Sequence, residues 1–210
     1  MKSNKAYIWD LDGTLLDSYD LIVSGLWATC REFNLRAEKE EIRKEVITYS
    51  VSSFIAKAVS GSGISAEDFR KRYAEINDGE KLNIRAVKNA KEILSFLRNR
   101  GERNFVFTHR GGSTDAILKN LGLKDFFEDV IRGTDGFPRK PDPAALEHLI
   151  KKHGLNKETT YYVGDRSLDM ECAFNAGIKG IMYLPPNSFA KPTGNEDHII
   201  GDLSDIKNLY

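Results

Sequence analysis

The spacing of apolar residues changes along this chain, and each spacing predicts a different element. Ala6-Tyr7-Ile8-Trp9 is a continuous apolar run, which is typical of a short buried strand. Beyond Ser18, apolar residues recur every three or four positions, at Ile22, Leu26, Cys30 and Phe33. That spacing places them on one face of a helix. The chain therefore begins with a strand and continues with a helix.

The helical pattern continues to about Lys81. Residues 38–47 and 51–59 predict two further helices, and Gly61-Ser62-Gly63 interrupts the pattern. Ser65 followed by Asp68 resembles a capping box that opens the next helix. We therefore expect residues 14–81 to be wholly helical.

Beyond Lys81, strands and helices alternate. Predicted strands cover 104–107, 130–131, 160–163, 180–184 and an edge strand at 198–200. Predicted helices cover 87–101, 113–121, 142–152 and 167–177, with a short one after Asp202. The third of these is expected to have Asp142 as its cap residue, followed by a proline in the first turn. This alternation is typical of a doubly wound parallel sheet. We predict an α/β fold with a Rossmann-like three-layer core, residues 1–13 and 82–210, and an inserted small helical domain, residues 14–81.

Composition excludes several classes of protein. The 210 residues suffice for one core and a small module, and 31 basic residues balance 31 acidic ones. Net charge therefore favours neither a nucleic-acid nor an anionic membrane partner. The two cysteines, Cys30 and Cys172, form neither a disulfide framework nor a zinc site, and we expect buried, reduced thiols.

The sequence features that would indicate secretion, membrane insertion or stable assembly are not found. The basic N-terminal residues run directly into the first strand without a signal peptide. No stretch approaches the roughly 18 apolar residues of a membrane span. We therefore expect a cytoplasmic protein. Heptads and an apolar patch are also missing, so we expect a monomer or weak homodimer.

Polar residues gather where the predicted strands end. Asp10 and Asp12 follow the first strand, and Thr108 follows the second. Lys140 lies in the loop after the third, and Gly164-Asp165-Arg166-Ser167-Leu168-Asp169 follows the fourth. Because ligands bind beyond the carboxyl ends of strands in open parallel sheets, we expect these side chains to converge.

Several carboxylates with one hydroxyl and one lysine predict a particular chemistry. Oxygen ligands without thiolates suit a hard divalent ion, magnesium above all. Such an ion beside a lysine and a threonine forms a site for a phosphoryl group. One carboxylate could attack phosphorus, and a second could protonate the leaving oxygen and then activate water.

These motifs resemble those of a known family. Asp10-Leu11-Asp12-Gly13-Thr14, a threonine ending the second strand, Lys140-Pro141, and Gly164-Asp165 with Asp169 are similar, in order, to the four motifs of the haloacid dehalogenase-like superfamily. The resemblance covers the whole chain. The helical insert after the first motif looks like the family's small cap, as in phosphoglycolate phosphatase-like and β-phosphoglucomutase-like members.

The resemblance implies a role for each matching residue. Asp10 would be the nucleophile and a magnesium ligand. Asp12 would be the general acid and base, with its carbonyl on the metal. Thr108 and Lys140 would hold the phosphoryl group. Asp165 would bind magnesium, and Asp169 would support the metal directly or through water.

Neighbouring residues supply further candidates. We expect His109 to contact the phosphoryl group and Arg110 the substrate, with an exposed loop as the alternative. Capped family members place a specificity loop where Tyr49, Ser50 and Ser52 lie between two predicted helices. The alternative there is an ordinary helix cap with Ser52 or Ser53 at the N-cap.

We therefore predict a magnesium-dependent phosphatase that hydrolyses a small phosphorylated metabolite through an aspartyl-phosphate. The family's metal-free dehalogenases have a non-acidic residue at the position of Asp12, so Asp12 favours phosphoryl transfer. A phosphosugar mutase on the same scaffold is one alternative. A non-catalytic module that binds metal or phosphate is another, and it has little need of a second acid poised for proton transfer.

Overall fold

The computed structural model describes residues 5–209. The chain divides into two compact units, one formed by Met1–Asp17 with Arg85–Tyr210 and the other by Ser18–Ile84.

The strands and helices of the described residues follow the predicted order closely. The strands are β1 (Ala6–Trp9), β2 (Leu16–Asp17), β3 (Arg85–Ala86), β4 (Arg103–Phe107), β5 (Asp129–Ile131), β6 (Thr160–Gly164), β7 (Lys179–Tyr183) and β8 (His198–Ile200). The helices are α1 (Tyr19–Glu32), α2 (Lys39–Thr48), α3 (Val51–Val59), α4 (Ala66–Asp78), α5 (Ala90–Asn99), α6 (Thr114–Asn120), α7 (Ala144–His153) and α8 (Ser167–Ala176). Short 3-10 helices cover Lys81–Asn83, Lys124–Phe126, Lys157–Thr159 and Leu203–Leu209.

The first unit is built on a six-stranded sheet in the order β5-β4-β1-β6-β7-β8. Every neighbouring pair in this sheet is parallel. The chain builds β4 and β5 on one side of β1 and then returns to place β6 on the other side. Strand order reverses at β1, and ligands bind at such reversals. The predicted α/β class with a parallel, Rossmann-like sheet is confirmed.

Both faces of the sheet are buried. Ile8, Phe105 and Phe107 pack in one cluster with Leu149 of α7 and Cys172 of α8. Because side chains alternate along a strand, Tyr7 and Trp9 lie on the opposite face. Both are fully buried, and the Trp9 indole donates to Asn104 Oδ1 at 3.0 Å. Both faces of β1 are therefore buried up to Asp10, the residue that follows it.

The second unit consists of four helices around their own apolar core. Leu26 of α1, Ile42 of α2, Phe54 of α3 and Phe69 of α4 meet in this core. Ser65 caps α4 as predicted, since its Oγ accepts the backbone N–H of Asp68 at 3.0 Å. The expected stripe of α1 is confirmed by the burial of Ile22, Leu26 and Cys30.

Three local expectations are wrong. Residues 14–81 are not wholly helical, because Leu16–Asp17 pairs antiparallel with Arg85–Ala86. Two-residue strands are too short to show a period in sequence. At α3 the N-cap is Ser50, whose Oγ accepts the Ser53 N–H, rather than Ser52 or Ser53. At α7 the N-cap is Pro143, although Asp142 Oδ1 still accepts the Ala144 N–H at 2.9 Å.

Two expectations from composition can be compared with the structure. Cys30 and Cys172 are both buried free thiols, as predicted. Within residues 5–209, none of the helices combines the length and the apolar character that crossing a bilayer requires.

The helical unit offers a matched test of its core. Leu26 is fully buried, whereas Leu82 is 48% exposed. Leu26→Ala should lower the free energy of unfolding by about 2–5 kcal/mol because it leaves a cavity. Leu82→Ala should change it by less than about 0.5 kcal/mol. Urea denaturation followed by circular dichroism measures both, and equal effects would contradict this packing.

Candidate active site

Three buried carboxylates meet at the carboxyl edge of the sheet. Asp10 follows β1, Asp165 follows β6, and Asp169 lies in the first turn of α8. Each offers an oxygen, and these oxygens all lie within 4.8 Å of one another. The register explains the convergence, because Trp9 pairs with Val163 on the adjacent strand. The residues after the two strands therefore emerge side by side.

A buried lysine joins two of these carboxylates. Lys140 Nζ lies 2.8 Å from Asp10 Oδ1 and 2.8 Å from Asp169 Oδ1. The ammonium also lies over the rings of Phe107 and Tyr162, at 5.0 and 5.1 Å from their centroids. A charge is stable in such an apolar environment only when it is paired, so the lysine and the carboxylates hold one another in place.

The charges of this cluster do not balance with Lys140 alone. Burial raises the pKa of Asp10. The positive charge of Lys140 opposes this rise, but it offsets only part of it because Lys140 is shared with Asp169. Burial also tends to raise the pKa of Asp169. The positive charges of Lys140 and Arg166 outweigh the effect of burial, so the pKa of Asp169 is lowered. Burial tends to lower the pKa of Lys140. The negative charges of Asp10 and Asp169 outweigh the effect of burial, so the pKa of the lysine is raised.

One oxygen of the cluster is open to a further ligand. Asp10 Oδ2 is buried without a hydrogen bond, and an Arg166 guanidinium nitrogen lies 3.9 Å away. Three clustered carboxylates with an oxygen in this state fit a hard divalent cation, which prefers oxygen ligands.

Hydrogen bonds from neighbouring groups orient the carboxylates of Asp165 and Asp169. Thr14 Oγ1 donates to Asp165 Oδ1 at 3.1 Å, and the Arg166 N–H donates to Asp169 Oδ2 at 3.1 Å. The buried Tyr162 hydroxyl lies 3.3 Å from Asp169 Oδ1. None of these three residues was expected to have a role, although Thr14 and Arg166 lie inside the motifs. Tyr162 gave no signal beyond its place in an apolar strand.

Gly164 makes room for Asp169. A Cβ at position 164 would lie 2.4 Å from Asp169 Cβ, far inside van der Waals contact. Glycine is therefore required before Asp165 because the helix start approaches the strand end so closely.

Asp12 lies outside the cluster and is bound by Arg110. The Arg110 Nε donates to Asp12 Oδ1 and Oδ2 at 3.1 and 3.2 Å, and a second guanidinium nitrogen also donates to Oδ1. Both side chains are largely buried. This two-pronged contact fixes the orientation of the Asp12 carboxylate. Arg110 was expected to contact the substrate, and that role stays a prediction.

Thr108 and His109 lie at the end of β4. Thr108 is fully buried, and its Oγ1 accepts the Arg110 N–H at 3.1 Å. His109 Nε2 accepts the backbone N–H of Lys140 at 2.8 Å. Burial lowers the pKa of His109 to about 3, and the charges of Lys140, Arg139 and Arg166 add to this effect. The imidazole is therefore neutral, and the phosphoryl contacts expected of Thr108 and His109 stay predictions.

The three remaining candidates belong to the helical unit. Tyr49 is 60% exposed, Ser50 caps α3, and Ser52 lies in the first turn of α3. Their expected part in substrate specificity stays a prediction.

Comparison with known proteins finds relatives over most of the chain. Residues 7–183 match the family described as haloacid dehalogenase-like hydrolase. The chain is 34% identical to a phosphoglycolate phosphatase of Vibrio cholerae over 94% of this chain and 92% of that protein. It is 27% identical to the pyrophosphatase PpaX of Oceanobacillus iheyensis, over 97% of this chain and 95% of that one.

A solved structure shares the fold. The crystal structure of a predicted phosphoglycolate phosphatase from Haemophilus somnus superimposes with a TM-score of 0.87 at 23% sequence identity. The match covers 100% of this chain and 99% of that one.

Gly164 gives a test of the site's packing. Gly164→Ala should lower the unfolding temperature, because the added methyl displaces Asp169 or the strand end. Gly201→Ala is the matched control, since a Cβ there meets nothing within 4 Å. Thermal unfolding by calorimetry measures both, and equal unfolding temperatures for the two variants would refute the close approach of Gly164 and Asp169.

Proposed function

This chain belongs to the haloacid dehalogenase-like hydrolase family and is a phosphatase, and we propose that it hydrolyses a small phosphomonoester with Mg²⁺ through a phosphoryl group carried on Asp10. The observation that supports this mechanism most strongly is the Lys140 ammonium held between Asp10 and Asp169 beside Asp165. Such an arrangement suits a phosphoryl group, because it combines a nucleophile with positive charge.

The proposed metal ligands are oxygens. Side chains of Asp10, Asp165 and Asp169, with the backbone carbonyl of Asp12, would hold Mg²⁺. The bound ion supplies positive charge that neutralises the phosphoryl oxygens and favours the ionised form of Asp10. The buried Asp10 Oδ2, which makes no hydrogen bond, supports this assignment.

The reaction then proceeds in two steps. A carboxylate oxygen of Asp10 attacks phosphorus in line, and the bond between phosphorus and the leaving oxygen breaks. In the same step the protonated Asp12 carboxyl donates a proton to the leaving oxygen. In the second step Asp12 takes a proton from water as the water attacks phosphorus. The bond between phosphorus and Asp10 breaks, which releases inorganic phosphate and restores the Asp10 carboxylate.

Other groups of the site support these two steps. Lys140 and Thr108 would bind the phosphoryl oxygens through the ammonium and the hydroxyl. Arg110 orients the Asp12 carboxylate through its two-pronged contact. The proton transfers that we assign to Asp12 depend on this orientation.

We propose the helical unit Ser18–Ile84 as the cap that excludes bulk water during turnover. Support comes from its insertion directly after the first motif and from its separate core. Tyr49, Ser50 and Ser52 are the proposed specificity residues of this cap. Tyr49 is 60% exposed, an unusual fraction for a large side chain of this kind.

The names of the relatives direct the choice of substrates. The phosphoglycolate phosphatase and pyrophosphatase similarities put phosphoglycolate and pyrophosphate in the first panel. Sugar phosphates belong there as well, because a mutase on this scaffold would isomerise them and release no phosphate. p-Nitrophenyl phosphate adds an ester with a reactive leaving group.

Asp10→Asn should abolish phosphate release from every ester in the panel, since an amide oxygen is a poor nucleophile. Asp125→Asn, an exposed aspartate in the same unit, is the control and should retain full activity. EDTA should remove the activity of the wild type, and Mg²⁺ should restore it. Activity that survives Asp10→Asn, or isomerised sugar phosphate without free phosphate, would contradict the proposal.

Asp12→Asn separates proton transfer from metal binding. We expect turnover to fall by a factor of about 100 to 10,000, the usual contribution of a general acid or base. Affinity for Mg²⁺, measured by calorimetric titration, should stay nearly constant because residue 12 would hold the metal through its backbone carbonyl alone. A strong loss of Mg²⁺ affinity would show that the role assigned to the Asp12 carboxylate is wrong.

A further inference from the structure

The segment that carries Lys140 has no helix or strand of its own. It covers residues 132–143, between β5 and α7. Near its start, the Gly133 N–H donates to the Arg110 carbonyl at 2.9 Å. Near its end, Asn175 Nδ2 of α8 donates to the Pro141 carbonyl at 3.0 Å. The position of the Lys140 backbone therefore depends on contacts with other elements.

One of these contacts reaches Lys140 itself. Its backbone N–H donates to His109 Nε2 at 2.8 Å. A backbone N–H can only donate, so Nε2 must present its lone pair, and the ring proton of a neutral imidazole must lie on Nδ1. The imidazole also meets the Phe107 ring edge-on, at 6.0 Å between centroids. The ring thus contacts both the backbone of Lys140 and a core side chain over which the Lys140 ammonium lies.

We infer that His109 is a positioning residue, whose unprotonated Nε2 fixes the backbone of Lys140 so that the lysine's ammonium reaches Asp10 and Asp169. The consequence for catalysis rests on the proposed function, whereas the hydrogen bond and its effect on the ammonium do not. This role differs from the expected phosphoryl contact, because Nε2 cannot accept the Lys140 N–H and also donate to a phosphoryl oxygen.

The surroundings of the His109 imidazole keep its Nε2 unprotonated, so that this nitrogen remains a hydrogen-bond acceptor. Burial holds the pKa of His109 down to about 3, with Lys140, Arg139 and Arg166 acting in the same direction and Asp169 against them. The unprotonated nitrogen therefore persists across the neutral pH range. Small displacements matter here, because the ammonium is paired at 2.8 Å with two carboxylates at once.

Two substitutions of similar shape test this role. His109→Gln keeps an acceptor oxygen near the position of Nε2, whereas His109→Met fills a similar volume without a comparable acceptor. We expect His109→Met to lower kcat on the order of 100-fold, the cost of a misplaced catalytic group, and His109→Gln to restore most of it. Equal activity of His109→Met and wild type, or a glutamine variant as slow as the methionine variant, would overturn the inference.

Nuclear magnetic resonance tests the same inference without any substrate. In the wild type, the nitrogen spectrum of His109 should show Nδ1 protonated and Nε2 unprotonated from pH 5 to 8. The Lys140 ammonium protons, which exchange slowly while bound to two buried carboxylates, should lose that protection in His109→Met and regain it in His109→Gln. A proton on Nε2, or an ammonium signal that is unchanged in His109→Met, would overturn the inference.

The two measurements keep the two proposals apart. If no ester releases phosphate, the proposed function fails, and the resonance experiment still decides the role of His109. If His109→Met does not fold, the role of His109 is tested by the nitrogen spectrum of the wild-type histidine and by the Lys140 ammonium signal of His109→Gln.

Discussion

The structure depends most on one buried ammonium held between two buried carboxylates. Lys140 Nζ lies 2.8 Å from oxygens of both Asp10 and Asp169. Each of these groups stabilises the charged form of the group that it contacts. Asp165 adds a third carboxylate to the same small volume, so three carboxylates share one lysine and the nearby Arg166 guanidinium. The excess of negative charge favours binding of a divalent cation. The cation and the lysine together would provide the positive charge that binds a phosphoryl group.

The sheet topology delivers these groups to one place. Asp10 and Asp165 follow the neighbouring strands β1 and β6, where strand order reverses. Asp169 reaches them because Gly164 allows α8 to start against the end of β6. Lys140 comes from a segment without regular structure, and His109 ties that segment to the end of β4. The strands thus fix two acids directly, whereas the backbone of the lysine is held by contacts with other elements, one of which is the His109 acceptor.

Much of this could be predicted from the sequence because its signals are local. The strand before Asp10 is a continuous apolar run, and the helix stripes of the second unit repeat every three or four residues. Contacts between distant segments gave no such signal. The Arg110–Asp12 pair, the His109–Lys140 hydrogen bond and the short β2–β3 pairing each join residues far apart in sequence. Tyr162 was hidden for another reason, since an apolar strand pattern does not show where a hydroxyl group points.

The central claim is that the phosphoryl group passes through Asp10, and chemical trapping during turnover tests it most directly. Enzyme quenched during turnover with phosphoester and Mg²⁺ would be treated with borohydride, which reduces an acyl phosphate to an alcohol, and then digested for peptide mass spectrometry. Our account predicts reduction at Asp10 alone, and only when both substrate and Mg²⁺ are present. Reduction at another carboxylate, or an unmodified Asp10 in enzyme that is turning over, would contradict it.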